Sequence, residues 1–358
     1  MANHTHDAAS ATWFDAVRST AASAELTDTA TWTLAGIDIR LGATSEAVAE
    51  IVLDGIAGDR SRGDGEGDER AMAGPRWVAI DGRDHPLPTP PFGPEDLLPR
   101  DGVAGFTDGR FRLAWAIERQ VLWGFDVETK DGFIWMRHPA LCAPWDRAAP
   151  WRPIASWWLS VRGAGLVHAA AVAPPGRPDL GILLVGPGGS GKSTLALACA
   201  AVGWTITGDD YVVVRRAGES WAADAPYRWA KASPDTIALL DVPRGWLVPG
   251  VDHLGKSLID LPAAFGGRGA VGVGLAAVVA PTVAERTGSA VSIHPAGVMA
   301  ALGPSTALQT PGDGTASLRF VAGLSADLPA WSLDVGPDVA RGGAEALLAM
   351  LDSGQRKP

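Results

Sequence analysis

Apolar and polar positions along the chain fall into two regimes. Before residue 150 the period changes often. Residues 31–41 alternate as a half-buried strand, and 45–53 repeat at helical spacing. Short apolar stretches at 77–80, 110–116, 121–127 and 132–136 read as strands separated by turn residues. The Gly- and charge-rich run 59–69 reads as an exposed loop, and the Pro-rich run 85–99 as irregular chain. Residues 151–162 predict a helix, with Pro153 near its first turn.

Beyond that helix the apolar runs become longer and more continuous. Residues 165–173 predict one buried strand, 174–179 a turn, and 180–185 a second buried strand that would pair with the first as a hairpin. A helix follows over 191–202. Strands at 204–207 and 211–215 flank Gly208-Asp209-Asp210. Ser233 is a candidate N-cap, with Pro234 opening a short helix to residue 240. Further strands are expected at 273–280, 291–293 and 331–335, and helices at 295–302 and 339–351. The whole reads as an α/β protein. Residues 1–149 would form a mixed α/β N-terminal domain and 150–358 a second, larger one.

Composition narrows the function classes. The chain has 358 residues with a formal net charge of −10. That field repels polyanions, so neither nucleic acid nor an anionic membrane is expected as a partner. The two cysteines, Cys142 and Cys199, are far apart, which excludes a disulfide framework and a cysteine metal site. The first residues lack the basic and apolar regions of a secretory signal, and no apolar run reaches membrane-spanning length. A cytoplasmic location fits these absences. Ten of the fifteen tryptophans precede Ser160. They are expected to fill the core of the N-terminal domain, with acceptor recognition as the alternative use.

The chemistry concentrates at Gly186-Pro187-Gly188-Gly189-Ser190-Gly191-Lys192-Ser193, which satisfies G-x-x-x-x-G-K-[ST] between a predicted strand and a predicted helix. Glycines let the backbone wrap a phosphate chain, and successive N–H groups at a helix start supply positive potential. Lys192 is expected on the β- and γ-phosphates, Ser193 on Mg²⁺, and Thr194 beside them. Adjacent carboxylates at Asp209 and Asp210 end an apolar strand, where one suits a metal ion and the other a base. His168 lies in the strand predicted to pair beside the phosphate loop. There it is either a core histidine or a group that orients an aspartate.

From His168 to Val214 the chain resembles the catalytic core of HPr kinase/phosphorylase and, more closely, the related bacterial serine kinases, some of which serve lasso-peptide and other peptide-tailoring (RiPP) clusters. The shared pieces are LVHAAAV, GILLVGPGGSGKST, LALACAAVG and WTITGDDYVVV. The resemblance implies a mixed-sheet P-loop kinase core of the type shared with phosphoenolpyruvate carboxykinases. It implies ATP and Mg²⁺ as cofactors, and phosphorylation of a hydroxyl on a peptide, a protein or a small molecule. Among the catalytic residues Asp209 would be the base, Asp210 with Ser193 would hold the metal, and His168 would tune the pair. Segments around Lys231 and Lys256 are similar to those that bring lysines to phosphate or acceptor in these kinases. A homo-oligomer is compatible with the reading. The chain departs from HPr kinases proper at Thr194, where they carry an acidic residue, and around 266–274, where their second signature has no clear match.

Overall fold

A computed structural model describes residues 8–57, 74–142, 144–251, 255–285, 290–293, 301–303, 306 and 314–354. The predicted loop at 59–69 and most of the predicted helix at 295–302 lie outside them. The chain divides into two compact units, Met1–Arg162 with Thr310–Gly314, and Gly163–Gln309 with Thr315–Pro358. The first unit therefore ends at Arg162, and the helix predicted at 151–162 belongs to it.

The first unit is built on a six-stranded mixed sheet. Its strands are β1 (Asp28–Leu34), β2 (Ile37–Ala43), β3 (Arg76–Asp81), β4 (Phe111–Ala116), β5 (Val121–Asp126) and β6 (Gly132–Met136), in the order β1-β2-β3-β6-β5-β4. The strand expected at 31–41 is in fact a hairpin. Ala35 and Gly36 both take positive φ and turn the chain, so Leu34 pairs with Ile37. Helix α1 (Ala8–Ser23), which the pattern did not announce, lays Phe14 and Val17 into a core with Val78, Ile80, Leu113 and Phe133. Helix α2 (Glu46–Val52) is capped by Ser45, whose hydroxyl accepts from the Val48 N–H and donates to Asp81. Helices α3 (Pro144–Ala148) and α4 (Arg152–Ser160) follow the sheet. Trp32, Trp77, Trp151, Trp157 and Trp158 are wholly buried, so these tryptophans are core, as expected.

The second unit carries a nine-stranded mixed sheet, in keeping with the mixed-sheet architecture implied by the resemblance. Its strands are β7 (Gly165–Val167), β8 (Ala169–Ala173), β9 (Gly181–Val185), β10 (Thr205–Gly208), β11 (Val212–Ala217), β12 (Ser220–Asp224), β16 (Val273–Val283), β17 (Ala290–Ile293) and β18 (Ala330–Val335). A separate three-stranded sheet holds β13 (Trp229–Ala232), β14 (Leu247–Val251) and β15 (Ser257–Asp260). Strands β9, β16 and β18 run parallel, and β8 joins β9 as the expected antiparallel hairpin. Both faces of the large sheet are covered, which explains the continuous apolar runs. Along β8 and β9 alternate residues serve different layers. Ala170, Val172, Ile182 and Leu184 pack against helix α5 (Lys192–Ala201), while Ala169, Ala171, Leu183 and Val185 face the other core.

Further helices among the described residues are α6 (Pro234–Leu239), α7 (Leu261–Phe265), α8 (Gly314–Asp327) and α9 (Val339–Gly354). Cys142 and Cys199 are buried and not joined in a disulfide. Burial pushes the Cys142 thiol up to about 12. No helix among the described residues is long and apolar enough to cross a membrane.

Candidate active site

Strand β9 delivers the chain into a loop whose backbone only glycine adopts easily. Gly186, Gly189 and Gly191 have φ of 145°, 83° and 97°. A Cβ on Gly186 would stand 2.9 Å from the Ser190 hydroxyl, whereas Gly188 and Gly189 face open space. Gly191 is the N-cap of α5, and Lys192 is its first residue. The Lys192 ammonium is buried and crosses the inside of the loop. It donates to the carbonyl oxygens of Gly186 (2.7 Å) and Pro187 (3.0 Å). Burial lowers its pKa, Asp209 and Asp210 oppose that shift, and Lys256 adds to it. All four groups thus share one electrostatic neighbourhood.

The sequence pattern suggests an unbroken strand at 165–173, but the structure interrupts it at His168. Strand β7 pairs with β11 (Val167 opposite Val212), and β8 pairs with β10 (Ala171 opposite Gly208). The partner strand is interrupted at the same level, by Asp209 and Asp210. His168 and the aspartates therefore meet in a split of one two-stranded ribbon. The His168 Nε2 lies 3.1 Å from the Asp210 Oδ1. Gly208 leaves little room, since a Cβ there would be 3.0 Å from Val212 Cγ1 and 3.1 Å from the Tyr211 carbonyl oxygen. Asp210 then takes a left-handed φ of 73°, a conformation that Asp tolerates better than most residues.

Strand β13 grips both aspartates through a single residue. The Lys231 N–H donates to Asp209 Oδ2 (2.9 Å), and the Lys231 ammonium donates to Asp210 Oδ2 (2.7 Å). The environments of the two carboxylates diverge. Burial raises the pKa of Asp209, and the Lys231 N–H, the Ser193 hydroxyl and Lys192 only partly offset this. Burial opposes charge on Asp210 too, but Lys231 and the His168 imidazole outweigh it and hold that carboxyl well below the usual range. Asp209 Oδ1, Ser190 Oγ and His168 Nδ1 are buried without a hydrogen-bond partner among the described residues.

These groups line a cleft of roughly 410 Å³. Gly188–Thr194, His168, Asp210, Lys231 and Lys256 reach its surface, whereas the Asp209 side chain does not. Lys231 and Lys256, expected near phosphate or acceptor, are both present, and Lys231 is the counter-ion of Asp210. Thr194 bonds the Thr236 hydroxyl (2.7 Å), which in turn meets Ser233 (3.0 Å), the N-cap of α6. Leu239, Val283, Val335, Pro337 and Val339 form an apolar side that the sequence reading missed. They come from three separate segments, around 239, 283 and 335–339, and no local pattern marks these as neighbours.

No family model matches this chain, and no curated protein matches it. Among solved structures the chain is similar to the Hpr(Ser) kinase/phosphatase from Coxiella burnetii, with 13% identity. The match covers 53% of this chain and 95% of that chain at a TM-score of 0.28, a distant likeness.

Proposed function

We propose that the chain is a kinase that transfers the terminal phosphoryl group of ATP to a hydroxyl, with a serine of a peptide or protein as the preferred acceptor class. One observation carries this reading. A glycine-built phosphate loop with a buried lysine opens into the same cleft as a carboxylate held ionised by a lysine and bonded to a histidine. Phosphoryl transfer asks mainly for positioning and charge neutralisation, and this set supplies both.

In this reading Lys192 leaves the carbonyls of its own loop for the β- and γ-phosphates, and the N–H groups at the start of α5 receive the same anion. The exposed apolar side chains Leu239 and Val283 provide a face for the nucleoside. Asp210 is the carboxylate an acceptor can reach, so it takes the hydroxyl proton as the acceptor oxygen bonds phosphorus and the bond to the diphosphate oxygen breaks. His168 orients Asp210, and Lys231 keeps it charged. Reach comes before pKa in choosing a base. This exchanges the roles expected from the sequence, where Asp209 was the base and Asp210 the metal ligand.

Mg²⁺ fits the remaining groups. Asp209 presents a buried oxygen without a partner, and the Ser193 hydroxyl is beside it. No cluster of three His, Cys, Asp or Glu side chains capable of holding a metal occurs among the described residues. A cation here would therefore rely on phosphate oxygens and water as well, as Mg²⁺ commonly does. It would supply neutralisation of phosphate charge.

The test is incubation with γ-labelled ATP, Mg²⁺ and a mixture of serine-containing peptides, beside a Lys192→Ala control. Label on a peptide hydroxyl that disappears in the control supports the proposal. Label released only as inorganic phosphate would point to an ATPase instead.

A further inference from the structure

The first unit contains a pocket of roughly 480 Å³, within the size range of small-molecule sites. Its walls are aromatic. Phe92 stands at the centre, with Trp13 and Trp115 edge-on to it at 5.2 and 5.6 Å, and Trp135 also lines the space. The Pro-rich run expected to be irregular forms a strap over this floor. It is pinned from beneath by two indoles: Trp13 Nε1 donates to the Pro88 carbonyl oxygen (3.0 Å) and Trp135 Nε1 to that of His85 (2.9 Å). The strap's prolines restrict its backbone, which lowers the entropy lost on ordering it around a ligand.

Polar groups converge at one place in this lining. Arg137 is the only charged residue among the lining residues. Its backbone N–H donates to the Gln120 carbonyl oxygen (3.1 Å), so the two residues are neighbours along the same wall of the lining. The Arg137 side chain is exposed and makes no ion pair among the described residues. An apolar aromatic chamber bearing one cation and one amide is complementary to a ring that carries an anion. Guanidinium binds a planar carboxylate through two parallel bonds, and edge-to-face stacking suits an aromatic ring.

We propose that this cavity is a binding site for a small aromatic carboxylate, separate from the phosphate-loop cleft. The proposal rests on the first unit alone and stands whether or not the chain is a kinase.

The probe pair is N-acetyl-L-phenylalanine and its C-terminal amide, titrated calorimetrically into the full chain and into two variants, Arg137→Met and Trp115→Ala. Both substitutions fall on side chains that are not fully buried, and a thermal melt confirms that each variant is folded. The acid should bind at millimolar concentration or tighter, with the amide about tenfold weaker, the loss of one charge-assisted pair. Arg137→Met should bring the acid down to the amide's level, and Trp115→Ala should weaken both. No binding of the acid at millimolar concentration, equal binding of acid and amide, or an acid affinity unchanged in Arg137→Met would each overturn the proposal.

Discussion

At Asp210 a left-handed backbone turns one carboxylate into the cleft, while its neighbour Asp209 is buried beside Ser193 and accepts the Lys231 N–H. The same burial acts on both, and a single lysine separates them, because its ammonium reaches only Asp210. Lys231→Met should therefore remove the main charge that holds Asp210 ionised and lower turnover at least tenfold, with the loss read in steady-state kinetics. Replacing Gly208 by Ala should act on the same turn. Its Cβ would meet Val212 Cγ1 and the Tyr211 carbonyl oxygen at 3.0–3.1 Å, so the turn that carries Asp210 must give by a few tenths of an ångström. The expected result is a fall in turnover with a melting temperature lowered by only a few degrees, on the order of 1 kcal/mol. Asp209 and Asp210 were legible in sequence as a pair. Their division of labour was not, because it depends on a strand some twenty residues further on.

Elements that bury two faces were the easiest to read. β9 and α5 announce themselves by continuous apolar runs, and the structure has them within a residue or two of the expected bounds. Where a pattern continues across a change of partner, sequence fails. The run 165–173 looks unbroken because both halves are apolar, and only the pairing with β11 and then β10 reveals the break at His168. The hairpin at Ala35-Gly36 was hidden for a similar reason, since Ala is not a residue that announces a positive φ. Strands β12 to β15 are short and mixed in polarity, and passed unnoticed. At this scale α5 is the element to probe. Leu195 is wholly buried against the sheet and against α9, where Gly343 approaches it closely. Leu195→Ala should destabilise the second unit by about 2–5 kcal/mol, measured by denaturant unfolding.

On the scale of the molecule, the two compact units have separate cores. The first unit's loss of stability in acid has an identifiable source. Asp81 is wholly buried and bonds the Arg83 guanidinium and the Ser45 hydroxyl, and Arg83 chiefly holds its pKa down to about 2. A carboxyl depressed in the folded state stabilises the fold above its unfolded pKa. That contribution is lost as pH falls from about 4 through about 2. With Arg83 half exposed to solvent, the contribution is about 1–2 kcal/mol. Asp81→Asn should lower stability by that amount at pH 7, and the difference from wild type should shrink from about pH 4 and vanish only below about pH 2 in an acid titration followed by tryptophan fluorescence.

The central claim is that Asp210 serves the acceptor and Asp209 the metal side of one phosphoryl-transfer site. The measurement that tests it most directly compares Asp210→Asn and Asp209→Asn, each assayed for label transfer from γ-labelled ATP and for Mg²⁺-dependent nucleotide affinity. Asp210→Asn should lose transfer by about a hundredfold or more with nucleotide affinity within a few-fold of wild type, whereas Asp209→Asn should lose the Mg²⁺ dependence of binding. Full transfer in Asp210→Asn, or loss of Mg²⁺-dependent binding in that variant rather than in Asp209→Asn, would contradict the account.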